Sequence, residues 1–300
     1  MTNMKTSLSR KIFLVVNYII LTVLALICIL PFVNLLAISF SAKSAVIANE
    51  VTLWPVGFSV NSYHFILKSS QFMKSLLISV ERTVPGVILN TVLAVLTAYP
   101  LSKSVQEFRL RNYFSWFFVI TILFNGGLIP TYLVVKYTGL LNSILSLILP
   151  GALNVFNMLV VMNYMRSLPK ELEEAAYIDG AGHTQVLTKV VLPVCKPTIA
   201  TIILFSFVSH WNSWFDGMIY MDTVDRYPLQ SYLQTVIINT ESFFRNASNT
   251  SSEIANYVKL VNARTTSAAQ LFLAITPILC IYPFLQRYFT TGLVMGSVKG

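Results

Sequence analysis

Glu171, Glu173, Glu174 and Asp179 place four carboxylates within nine residues of an otherwise apolar chain. Pro169 can take the first helical position, and the three glutamates then fall in the first turn, where the helix dipole favours negative charge. Gly180 supplies the stop. The chemistry this pattern offers is contact rather than bond making. Leu172, Ala175 and Ala176 share one face at helical spacing with Asp179 one turn further on, and the two alanines let that face approach another surface closely. A second short helix, from about Thr184 to Leu192, is closed by Pro193, because the residue before a proline is pushed out of helical geometry. A polar hairpin of this kind between strongly apolar segments invites a partner protein.

No other set of residues converges on a reaction. His64, His183 and His210 are scattered along the chain, so neither a metal site nor a nucleophile triad can be assembled, and a membrane-bound enzyme has no visible catalytic set. Cys28 and Cys280 fall in apolar runs and Cys195 ends the hairpin, which leaves no external pair for a disulfide. A Gly-x4-Gly-Lys-Ser/Thr phosphate loop is absent, and with it any visible means of cradling nucleotide phosphates.

The elements that must hold the hairpin are membrane helices. Apolar residues make up 55% of the chain and charged residues 11%, with a mean hydropathy of +0.67, a composition that excludes an ordinary soluble domain. Charge-free runs lie between Lys11 and Lys43, Arg82 and Lys103, Arg111 and Lys136, Lys136 and Arg166, Lys196 and Asp216, and Arg264 and Arg287. Each approaches or exceeds the roughly 20 residues a helix needs to cross the hydrocarbon core. Six spans put both ends on one side. Lys5, Arg10 and Lys11 before the first span, and Lys103, Arg109 and Arg111 between the second and third, mark that side as cytoplasmic. The first run is much longer than a signal-peptide core and is expected to be retained. The net charge of +9 flanks the spans without forming a basic, aromatic-interleaved stripe, so it reads as topology and not as a nucleic-acid surface.

Prolines 31, 85, 130, 150, 277 and 283 interrupt or end the spans, as kinks around a cavity or as simple terminators. Glu81 and Arg82 precede the apolar body of the second span, either snorkelling to the interface or lining an outer vestibule. Outside the membrane, Trp54 and Tyr63 suit a headgroup boundary around an extended stretch and a short interfacial helix. Residues 220–268 form a long outer segment with two chance-level sequons at Asn246 and Asn249.

Glu174-Ala175-Ala176, three residues, Gly180, nine residues, Val190, one residue and Leu192-Pro193 resemble the EAA loop of permease subunits from binding-protein-dependent ABC importers. Phe124-Asn125-Gly126-Gly127-Leu128-Ile129-Pro130-Thr131-Tyr132 and His210-Trp211-Asn212-Ser213-Trp214-Phe215-Asp216 are similar to the oligosaccharide branch related to the inner maltose-type permeases. The resemblance implies an all-α integral membrane protein with six transmembrane helices and the type I ABC importer permease fold. It divides the chain into a cytoplasmic N-terminus (1–11), a first transmembrane helix with its outer segment (12–75), a permease core (76–290) carrying the EAA loop (166–196) and outer loop (220–268), and a cytoplasmic tail (291–300).

The function implied is translocation of an oligosaccharide delivered by an external solute-binding lipoprotein across the bacterial plasma membrane, with a second homologous permease and two ATP-binding subunits. Those subunits bind ATP and Mg; this chain needs no cofactor of its own. Leu172, Glu174, Ala175, Ala176, Asp179, Gly180, Leu192 and Pro193 are the expected coupling residues. The C-terminal words resemble a tail that reaches between the ATP-binding subunits, through Gly296, Lys299 and Gly300. Asn125, Trp211, Asn212, Trp214 and Phe215 could line the sugar path, since aromatic faces stack on sugar rings and amides match hydroxyls, although a tryptophan at a span end also serves as an interfacial anchor. The rival reading is an ion-coupled secondary sugar transporter, which usually needs an ionisable residue near the midplane of a span.

Overall fold

The computed structural model describes residues 8–236 and 260–297, and all regular secondary structure among them is helical. Two compact units emerge, one from residues 1–69 and 236–274 and one from 70–235 and 275–300. Three helices are long and apolar enough to cross a bilayer unaided: α1 (Leu8–Ser39), α4 (Ser70–Ser102) and the Ala263–Phe284 part of the last helix. Among the described residues three bent helix pairs raise the number of candidate spans to as many as six, if each pair is one crossing.

In the first unit, α1 is apolar all round and none of its most hydrophobic stretch is buried, as befits a helix whose surroundings are lipid or another subunit. Its end turns into α2 (Lys43–Ile47), which the sequence pattern did not announce, and α3 (Asn61–Lys68), which it did. Phe40 stacks on Phe58 and Tyr63, and the Tyr63 hydroxyl lies 2.8 Å from Ser39 Oγ. Tyr63 is thereby part of a local aromatic core, while Trp54 stands 80% exposed as an interfacial anchor would.

In the second unit α4 is the central post. It begins at Ser70, so Glu81 and Arg82 sit well inside a helix of 33 residues instead of ahead of it. Pro85 and Pro100 lie within this helix and do not terminate it. Ala94 and Ala98, both fully buried, let α7 (Val155–Arg166) approach α4 closely, and Met158, Val161, Met162 and Met165 of α7 fill the contact. α11 (Lys196–Asn212) packs on the same post and adds Ile202.

The third apolar run is not one straight crossing. α5 (Arg111–Leu123) and α6 (Leu128–Tyr137) meet at 114°. The break has a local cause: Asn125 Oδ1 accepts the Gly127 N–H at 2.8 Å, and Gly127 adopts φ +85°, a conformation that glycine alone enters without penalty. The fourth run is likewise split, with 3-10 turns at Ile144–Leu147 and Leu149–Gly151 bent by 46° from α7, whose start is capped by Asn154 accepting the Asn157 N–H.

The segment beginning at residue 220, expected to lie outside, is partly structured: a 3-10 turn spans Val224–Arg226 and residues 229–236 are helical. Asn246 and Asn249 lie outside the described residues. The last helix, here α13 (Ala263–Ser297), carries Pro277 and Pro283 internally and continues through most of the expected tail.

Candidate functional site

The hairpin starts with α8 (Glu171–Ile178), whose first turn holds Glu171, Glu173 and Glu174. Pro169 sits two residues before the helix, with its carbonyl accepting the Leu172 N–H at 3.3 Å, so it ends the lead-in and does not occupy the first turn. At the other end Gly180 stands at φ +82°, its N–H donates to the Tyr177 carbonyl, and Ala181 N–H donates to the Ala176 carbonyl, each at 3.0 Å. These two bonds form a Schellman stop and satisfy carbonyls that the helix end would otherwise leave open.

The returning arm differs from expectation. α9 (His183–Gln185) passes into a π-helical stretch, Val186–Val191, and on into α10 (Leu192–Val194), so Pro193 lies inside the arm and the turn comes at Cys195, with an 82° bend into α11. Proline has no N–H to return to the carbonyl four residues back, and the wider i to i+5 pattern just before it accommodates that lost bond.

The face read as Leu172, Ala175 and Ala176 is divided by the structure. Ala176 turns inward and packs with Tyr177, Ala181 and Leu192 on the α4–α7 core. Leu172 and Ala175 stay exposed, joined by Ile178, which is 86% exposed and was missed by the sequence reading. Spacings of three residues put 172, 175 and 178 on one outward strip. Glu174 and Asp179 flank it and are exposed, as is Pro193.

Glu173, singled out by the sequence only as a helix-start charge, forms an ion pair with Lys103 just beyond the end of α4. Lys103 Nζ also lies 4.3 Å from the centre of the Tyr99 ring. The Tyr99 hydroxyl is 3.4 Å from that of Tyr177, which in turn is 2.8 Å from His183 Nδ1. Both arms of the hairpin are thus tied to the end of the central post. Beside them, Glu107 accepts the Ser104 N–H at 2.8 Å and its carboxyl is held below the usual range by that bond.

Farther along α4 lies a cavity of about 550 Å³, walled by α4, α5, α7, α11 and α12 (Phe215–Tyr220). Arg82, only 3% exposed, makes a forked ion pair with Asp216 and donates from Nη1 to the Ser213 carbonyl at 3.0 Å. It neither snorkels nor borders an interface. Asp216, half-buried, is its counter-ion and also accepts the Ser213 hydroxyl at 2.9 Å. Glu81, by contrast, is exposed.

Two turns along, Asn90 Oδ1 accepts from Asn157 Nδ2 at 3.1 Å and from Ser206 Oγ at 2.7 Å. Between these clusters the His210 ring rests on Gly86, where a Cβ would fall 2.8 Å from ring atoms. Positions 82, 86 and 90 of α4 therefore face 206, 210 and 213 of the α11 side. A sequence signal for this did exist: the polar residues Arg82 and Asn90, and Ser206 and His210, recur on one helical face within apolar surroundings.

The expected sugar-path residues do not line this cavity. Asn125 is exposed and spent on the α5–α6 turn. Trp211 is buried and stacked on Phe207, Asn212 is exposed, and Trp214 and Phe215 form an exposed edge-to-face pair. In the expected tail, Gly296 lies in the last turn of α13, while Lys299 and Gly300 are outside the described residues.

A profile for the binding-protein-dependent transport system inner membrane component family matches residues 3–294. The chain is 36% identical, over 98% of its length and all of the relative's, to the polygalacturonan/rhamnogalacturonan transport system permease protein YtcP of Bacillus subtilis (strain 168). It is 27% identical over 90% of its length, and 91% of the relative's, to the melibiose/raffinose/stachyose import permease protein MelC of the same organism. Among solved structures, a chain of a bacterial ABC transporter involved in import of the acidic polysaccharide alginate superposes with a TM-score of 0.85 at 32% identity, over 95% of this chain and 99% of that one.

Proposed function

Because the chain belongs to the family of inner-membrane components of binding-protein-dependent transport systems, we propose that it is the spanning subunit of an ATP-driven importer for an oligosaccharide. It is a transport subunit and not an enzyme. In this reading it pairs with a second, similar permease, receives sugar from an external binding lipoprotein, and is driven by two separate ATP-binding subunits that hold ATP and Mg. Both termini face the cytoplasm, as does the hairpin. Gly296, Lys299 and Gly300 reach toward the ATP-binding subunits.

The observation that carries the reading is the two-sided build of α8. One side, Glu173, Ala176 and Tyr177, is fastened to the central post; the other, Leu172, Ala175 and Ile178, is open. Switching a transporter between states populated 1:99 and 99:1 takes about 5.5 kcal/mol of differential stabilisation. An exposed ion pair supplies roughly 0–1 kcal/mol, so a packed apolar dock is required, and the open strip provides one. Motion of the docked subunit then reaches α4 through Glu173–Lys103 and the Tyr177–Tyr99 contact.

The test is uptake of labelled trisaccharides by proteoliposomes holding the whole complex. Uptake should need ATP and the ATP-binding subunits, stop with vanadate and ignore a protonophore. Uptake that follows a proton gradient without those subunits would establish the ion-coupled rival instead.

A further inference from the structure

The polar side chains lining the cavity between α4, α7 and α11 include Arg82, Asn90, Asn157, Ser206, His210 and Asp216. Its volume, about 550 Å³, falls within the range of about 300–1,000 Å³ typical of small-molecule sites. Polar groups buried inside a membrane bundle are costly, and those present mark a substrate pathway more often than a structural prop. Arg82 and Asn90 are two turns apart, so the polar stripe extends about 12 Å along the post.

Resting on the oligosaccharide-importer reading, we infer that this cavity is a sugar subsite belonging to this subunit, that it reads hydroxyl groups, and that Asp216 keeps it charge-neutral. Arg82 and Asp216 are the only residues of opposite formal charge lining it, and they cancel. The fork of the guanidinium is already filled by Asp216. The Arg82 Nε–H is buried without an acceptor among the described residues, and the same cavity is lined by the Asp216 carboxylate, the Asn157 amide and the Ser206 hydroxyl. A hydroxyl, which both accepts and donates, matches that mixture; a carboxylate can only accept, and meets the charge of Asp216. Substrate carboxylates, where the delivered glycan has them, are therefore read elsewhere in the assembly.

The experiment uses the complete complex in proteoliposomes, with raffinose as the neutral probe and trigalacturonate as the anionic one. Asp216→Asn keeps the shape and uncovers the Arg82 charge, and should raise the trigalacturonate to raffinose ratio of kcat/KM by about tenfold or more; Asp216→Glu should hold it near wild type. Ser206→Ala, a smaller change, should raise KM for the transported probe by about three- to tenfold while the purified complex melts within a few degrees of wild type. Wild-type uptake with an unchanged ratio in Asp216→Asn and an unchanged KM in Ser206→Ala overturns this inference alone. Absence of ATP-dependent uptake of either sugar by the wild-type complex overturns the importer reading and the subsite with it.

Discussion

At the scale of single residues, the seat of His210 on Gly86 is a close one. A methyl group there would sit 2.8 Å from the imidazole, so the ring would have to shift to admit it. Gly86→Ala should cost about 1–3 kcal/mol, the range for overpacking a filled interior, read as a lower melting temperature of the purified protein. In a His210→Ala background the same change should cost little; an equal cost there would show that the histidine is not what the glycine accommodates. This pairing joins positions far apart in sequence, and so does Arg82 with Asp216. Arg82 looked like an interfacial cation because the apolar run begins after it, and only the helix that starts at Ser70 places it inside. The end of α11 before Ser213 brings its partner, Asp216, to the guanidinium.

At the scale of elements, the hairpin was the most legible part of the chain because its signals are local. Acidic residues in a first turn, Gly180 at the stop and small apolar residues between them need no tertiary contact to be understood. What failed was orientation. Helical spacing grouped Ala176 with Leu172 and Ala175, but which of them faces inward depends on where α4 and α7 lie. Pro193 failed differently, since a π-helical widening carried the arm past a residue that ordinarily ends helices. The fastening of α8 to α4 predicts an uncoupled phenotype. Glu173→Gln or Lys103→Met should lower stability by about 1–3 kcal/mol yet leave ATP hydrolysis running while sugar uptake falls several-fold, and the swapped pair Glu173→Lys with Lys103→Glu should recover part of it. Loss of hydrolysis and uptake together would place the pair in docking, not in transmission.

At the scale of the molecule, apolar runs announced six spans, yet three of the six are bent pairs. Hydropathy reports how many residues are apolar and nothing of where the axis turns, so the 114° break at Asn125–Gly127 was hidden within an uninterrupted run. That break engages the Asn125 carbonyl oxygen, and a cavity lies where polar side chains from α4, α7 and α11 meet. The account's central claim is that α8 is fixed to its own bundle on one side and presents Leu172, Ala175 and Ile178 to a driving subunit on the other. The most direct measurement is cross-linking from a single cysteine, Ile178→Cys, in the assembled importer carrying serine at positions 28, 195 and 280, paired with cysteines placed across the surface of the ATP-binding subunit. The account predicts a short-range cross-link to that subunit that persists with and without ATP, and no cross-link when the same cysteine replaces Ala176. A cysteine at Ile178 that reacts freely with an impermeant thiol reagent from outside, and never with the ATP-binding subunit, would contradict it.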